Sequence, residues 1–186
     1  MPGALYRTAQ FRAALKARRG APDEGQDGRA RAVLPPALFD LFAQMPPEDR
    51  RHGLAILAAL EAAGADRSRD VSLLQAALLH DVGKAGAGVG LMHRVARVLL
   101  MRLGPAIWRR LADSPTGWRR PFWVLANHPA RGAVWVGTQG GSEELVALIR
   151  YHEVPAPADW AGGSLDGAGG SLADWHARLQ TADSMS

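Results

Sequence analysis

The chain has 186 residues, 47% of them apolar, which is ample for one domain with a real core and too apolar for a disordered chain. It has no cysteine, so disulfides and thiolate metal sites are excluded, and its longest apolar run is far short of the roughly 20 residues that span a bilayer. The formal charge is +4, carried by 20 Arg against 2 Lys, and it is uneven: Ala85 to Ala126 holds seven Arg and one acid, Asp113, whereas Gly140 to the end holds seven acids and two Arg. A basic middle and an acidic tail can pair on folding, or mark a surface for an anionic partner.

Helical periodicity dominates and no alternating strand stands out, so the expected fold class is all-α. Leu5 to Arg19 reads as a short amphipathic basic helix with no apolar core of signal-peptide length, and the absence of cysteine fits a reducing cytoplasm. Gly20 to Gly28 (GAPDEGQDG) has the composition of a linker. Pro36 to Met45 carries Leu38, Leu41, Phe42 and Met45 at helical spacing, and Pro46–Pro47 stops it. Pro47, Glu48 and Asp49 start the next helix, with acids near its positive end, and Gly64 ends it. Asp70 is placed to N-cap VSLLQAALLHDV, which Gly83 breaks just after His80–Asp81.

Gly90 to Leu103 is apolar with Arg at intervals, and Gly104–Pro105 interrupts it. Two short helices, Pro121 to Asn127 and Pro129 to Thr138, are expected around His128. Ser142 caps EELVALIRYHEV, Pro155 to Gly170 reads as a loop, and Ser171 with Asp174 forms a capping box for LADWHARLQTAD. The expected organisation is an N-terminal helical extension and linker over 1–45, then a single helical domain over 46–186 with a helical insertion near 89–120. That Arg-rich segment reads most simply as a helix packed on the core. A basic, apolar helix also suits an anionic membrane surface, or a lid over phosphorylated substrates or nucleic acid.

The chain's six His stand at 52, 80, 93, 128, 152 and 176. A lone His on an apolar helix is ordinarily a core or surface residue with a satisfied hydrogen bond, and His93 and His176 are read that way. The doublet His80–Asp81 is different. It follows the apolar run LLQAALL directly, where two ionisable groups are costly to bury without a metal or an Arg partner. Adjacent helix residues point about 100° apart, so both reach one ion only if other helices close its far side. His52 and Asp183 are candidates to do so. Imidazole and carboxylate together suit a divalent ion where no thiolate exists.

The string AALLHDVGK, Ala76 to Lys84, resembles the signature of the HD-domain superfamily, helical metal-dependent phosphohydrolases with the ligand order His, His-Asp, Asp. His52 lies 28 residues upstream on the preceding helix, and Asp183 lies on a late helix, both where that order wants them. The resemblance implies an HD-type helical bundle in which His52, His80, Asp81 and Asp183 hold a divalent ion: iron, manganese, cobalt, nickel, magnesium or zinc. NHPARGA around His128 and IRYHE around His152 are similar to the further His segments of two-metal HD proteins, including the HD-GYP branch. That implies a second ion held by His128 and His152, with Asp81 bridging. The chain departs from that branch at Tyr151, where a His is usual, and in VPAPADW, which lacks the glycine–tyrosine–proline signature.

The implied reaction is hydrolysis of a phosphate mono- or diester on a small molecule, nucleotides included. Asp81 and Lys84 are the residues expected to carry catalysis. Lys84, four residues after His80, either binds the substrate phosphate or interacts with the helix dipole. Glu48 is either an extra ligand or a helix-start acid. The alternatives are a metal-bound sensor or scaffold without catalysis, and a peripheral membrane or nucleic-acid binder working through the Arg-rich segment.

Overall fold

VSLLQAALL is apolar on every side, a pattern that suits a helix surrounded by others. In the computed structural model, which describes residues 24–160 and 170–185, this segment is the central helix. The helices in chain order are α1 (Glu24–Arg31), α2 (Pro36–Ala43), α3 (Pro47–Ala62), α4 (Val71–Leu79), α5 (Leu91–Leu103), α6 (Pro105–Leu111), α7 (Arg120–Thr138), α8 (Glu143–Tyr151) and α9 (Leu172–Met185). Short 3-10 turns lie at Val82–Lys84, Gly117–Arg119 and Ala158–Trp160. No β-strand occurs among the described residues, as the all-α expectation requires. Among them, too, no helix is long and apolar enough to cross a membrane.

Every residue of α4 from Ser72 to Leu79 is buried, and α2, α3, α8 and α9 pack around it. The core also takes in Ala30, Leu34, Leu38, Phe39, Phe42 and Met45, so the segment before residue 46 shares it. The linker expectation fails over Glu24 to Gly28, which begins α1. Tertiary contacts override the glycine content there: Asp27 accepts from Arg50 at 3.3 Å, Arg29 pairs with Glu61 at 2.8 Å, and Ala30 is fully buried. The expected helix at Leu5 to Arg19, the start of the linker and residues 161–169 of the expected loop lie outside the described residues.

Two further expectations are corrected. The segments either side of His128 form one helix, α7, which continues through Pro129. Asp70 makes no side-chain cap on α4; instead its carboxylate accepts from the Trp175 indole at 2.9 Å and from Arg178 at 3.2 Å, pinning α9 to the central helix. The caps at Ser142 and Ser171–Asp174 form as expected. α5 packs on α7, and α6 on both, as an outer layer beside the core.

Candidate metal centre

The His80–Asp81 doublet leaves the C-terminal end of α4 in the middle of the bundle, with His80 2% and Asp81 4% exposed. Glycines let neighbouring backbones close on it. A Cβ at Gly53 would sit 3.0 Å from the Ala77 carbonyl oxygen, so α3 crosses α4 at close range and sets His52 beside His80, ring centroids 5.3 Å apart. A Cβ at Gly83 would collide with the His128 carbonyl, so the Val82–Lys84 turn lies directly on α7. Arg131 locks that contact by donating to the Gly83 carbonyl at 2.7 Å. His152 ends α8, and Gln180 of α9 donates to its carbonyl at 3.0 Å, carrying Asp183 to the same place.

Three of the four imidazoles are oriented by one device. Nδ1 of His80, His128 and His152 lies 3.2, 3.1 and 2.8 Å from the carbonyl three residues earlier, in Ala77, Leu125 and Ile149. A carbonyl only accepts, so each Nδ1 carries a proton and donates. His80 and His152 follow the last turns of α4 and α8, where carbonyls lack helical partners. In mid-helix, Pro129 has no N–H to give the Leu125 carbonyl, which His128 takes instead. When the rings are neutral, each Nε2 therefore presents a lone pair, the tautomer a metal ligand needs.

These nitrogens gather around Asp81 in two groups. His52, His80 and Asp81 each bring one ligand atom within 4.8 Å of the others, and so do Asp81, His128 and His152. The Asp81 carboxylate is divided between them. Oδ2 faces His80 Nε2 at 3.7 Å, and Oδ1 faces His128 Nε2 at 3.2 Å and His152 Nε2 at 3.8 Å. Asp183 joins the first group through its imidazoles, with Oδ1 at 2.8 Å from His52 Nε2 and 3.8 Å from His80 Nε2. Ligands about 2.1 Å from one ion lie roughly 3.0–3.4 Å apart, so this spacing fits a divalent cation after small adjustments. His128 Nε2 and His152 Nε2 stand 3.3 Å apart. Facing lone pairs at that distance repel unless a proton or metal ion lies with them.

All six residues expected to ligate are thus brought together. Lys84 also belongs to the centre, its Nζ donating to Asp81 Oδ2 at 2.6 Å. Glu48 is exposed and belongs to neither ligand group, which leaves the helix-start reading of that residue. Tyr151 packs on Trp160, ring centroids 5.4 Å apart. His93 accepts from the Gly90 amide, and His176 Nε2 donates to the Tyr151 carbonyl; both stand outside the cluster, as expected. Sequence reasoning missed Glu153, whose Oε1 is 3.6 Å from His128 Nε2, and Arg97, which holds that carboxylate with two bonds of 2.7 Å. It also missed Asp49, 1% exposed and paired with Arg94 at 2.6 Å. Glu153 follows His152 directly, and that adjacency was the available signal.

Burial acts to raise the Asp81 pKa, but the charge of His80, the hydrogen bond that a protonated His128 gives through Nε2, and Lys84 outweigh it and hold the carboxyl well below its usual range. Burial likewise acts to raise Glu153, and the bond from Arg97 leads the effects that bring it down. Burial, with the neighbouring imidazoles, lowers His152 to about 4. The hydrogen bond to Asp183 raises His52.

A protonated His52 and a metal ion compete for one nitrogen. The raised pKa means that the His52–Asp183 pair stabilises the metal-free fold fully below the ordinary imidazole value and loses that contribution as pH rises through the folded value. Metal affinity runs the other way. It should climb by up to about tenfold per pH unit until His52 has lost its proton, while His152 stays ready at every pH well above about 4. Calorimetric titration across that range checks this. Affinity independent of pH would remove His52 from the ligand set.

No protein-family model, curated protein or solved structure matches this chain.

Proposed function

We propose that the chain is a metal-dependent phosphohydrolase of the HD-domain type, acting on a phosphate mono- or diester, with nucleotides among the candidate substrates. The observation that carries this reading is the shared carboxylate: Asp81 divides its two oxygens between two imidazole groups, with a lysine ammonium on one of them. A divalent ion there supplies Lewis acidity and makes water a nucleophile near neutral pH. His52, His80, Asp81 and Asp183 would hold one ion. Asp81, His128 and His152 would hold a second, with Glu153 beside them.

The chain's own cations supply the substrate side. Lys84, Arg94 and Arg97, with Val98, Met101 and Leu125, line a cavity of about 340 Å³. Phosphate oxygens entering it meet three positive groups, each already paired with a carboxylate: Lys84 with Asp81, Arg94 with Asp49 and Arg97 with Glu153. Bidentate guanidinium groups orient a phosphoryl group, and the ammonium provides a compact charge for the negative charge that develops on it.

The test is hydrolysis of chromogenic phosphate mono- and diesters and a nucleotide panel by the full chain loaded with each candidate metal. Turnover that a chelator abolishes and metal restores is expected. Metal-replete protein with no turnover on any ester would favour a metal-bound sensor. The Lys84–Asp81 and Arg97–Glu153 pairs, which already compensate both carboxylates, are the observation favouring that second reading.

A further inference from the structure

Helix α5 is built inside out. Two of its three arginines point inward: Arg94 pairs with buried Asp49, and Arg97 grips Glu153 with both terminal guanidinium nitrogens. A stripe of its aliphatic side chains points outward, whereas Val98 and Met101 line the cavity beside Lys84. Met92, Val95, Leu99 and Leu103, at helical spacing of one stripe, are 75%, 43%, 52% and 83% exposed. Ile107 on α6 is exposed as well. A surface helix of a globular protein normally shows the opposite arrangement. A contiguous exposed aliphatic face of this kind marks an interaction surface.

Charge identifies the partner. No acid occurs between Ala85 and Arg110. Arg102, Arg109 and Arg110 are exposed on the same hairpin and make no ion pair among the described residues. A second copy of the chain docked face to face would set these guanidinium groups against one another. The N-terminal segment carries Arg7, Arg12, Lys16, Arg18 and Arg19 with no acid before Asp23, so it brings the same sign. Nucleic acid would satisfy the arginines but leave branched and linear aliphatics, which do not stack on bases, in water. An anionic lipid surface satisfies both features: acyl chains take the aliphatic stripe and headgroups take the arginines.

We propose that the α5–α6 hairpin, Leu91 to Leu111, is an interfacial anchor that lies in the plane of an anionic bilayer. The inward arginines fix the roll of α5, so the aliphatic stripe faces out.

The test is co-sedimentation of the full chain with vesicles of mixed phosphatidylglycerol and phosphatidylcholine, against vesicles of phosphatidylcholine alone. Binding to the anionic vesicles, weakened by added salt and much lower on the zwitterionic ones, is expected. Leu99→Asp with Leu103→Asp, and separately Arg102→Glu with Arg109→Glu, should each lower the partition coefficient by at least about tenfold. All four positions are exposed, and unchanged helical circular dichroism and melting temperature verify the fold. Absence of vesicle binding by the folded wild type, equal binding to both vesicle types, or unchanged binding by both variants would overturn the proposal. So would self-association lost in the Leu99→Asp variant without vesicle binding, which would assign the face to a second copy. Tight oligonucleotide binding without vesicle binding would assign it to nucleic acid.

Discussion

Asp81→Asn is expected to empty the chain of divalent metal and to abolish phosphoester hydrolysis. Asp81 is the one residue common to both ligand groups, so its loss cannot be made good by the other. The loss in metal affinity should exceed the roughly 10–100-fold that follows removal of a ligand's outer hydrogen-bond partner. Asn keeps the volume but leaves the Lys84 ammonium, which now donates at 2.6 Å, without its carboxylate. Breaking such a buried pair costs about 3–5 kcal/mol, so the variant should also melt earlier. Elemental analysis alongside circular dichroism separates the two effects. A folded Asp81→Asn protein that retains wild-type metal would refute the assignment.

Lys84→Ala should do something different. In the structure Lys84 and a metal ion claim the same oxygen, Asp81 Oδ2. Removing the ammonium frees that oxygen, so metal affinity should rise or hold. Turnover should nevertheless fall by on the order of 10²–10³, the usual cost of losing one electrostatic contact to charge developing in the transition state. Lys84→Arg keeps charge but not shape, and partial activity is expected. The measurement is kcat for the best ester found, with metal content determined for each variant. Metal-replete Lys84→Ala with full activity would confine Lys84 to compensating the Asp81 charge.

What was legible in the sequence follows from what each signal depends on. The all-round apolarity of α4 was local information, and it located the doublet at the centre of the fold. The spacing of glycines and prolines marked most helix ends correctly. It misled at Pro129, because a proline need not end a helix when a side chain, here His128 Nδ1, takes the carbonyl it leaves free. The GAPDEGQDG composition misled for a related reason: the contacts of Arg29, Asp27 and Ala30 that hold α1 are with distant parts of the chain. Asp70 looked like a cap on the helix that follows it, whereas its carboxylate takes the Asp66 amide before it with one oxygen and, with the other, side chains 105 and 108 residues away.

In the centre, the six residues that the structure brings together are those that the resemblance to HD-domain motifs implied. Glu153 was not among them, because its approach to His128 depends on Arg97 reaching across from α5. Nor does periodicity tell which side of α5 faces in. The helix carries both arginines and aliphatics, and the carboxylates of buried Asp49 and of Glu153 draw Arg94 and Arg97 inward.

The measurement that bears most directly on the whole account is the metal content of the full chain. Protein purified without chelator, then reconstituted with iron, manganese, cobalt, nickel, magnesium or zinc in turn, should be analysed for bound metal before and after gel filtration. The geometry predicts at least one divalent ion retained per chain, and a second bound more weakly at His128 and His152. Wild-type protein that emerges folded and free of metal after every reconstitution would contradict it.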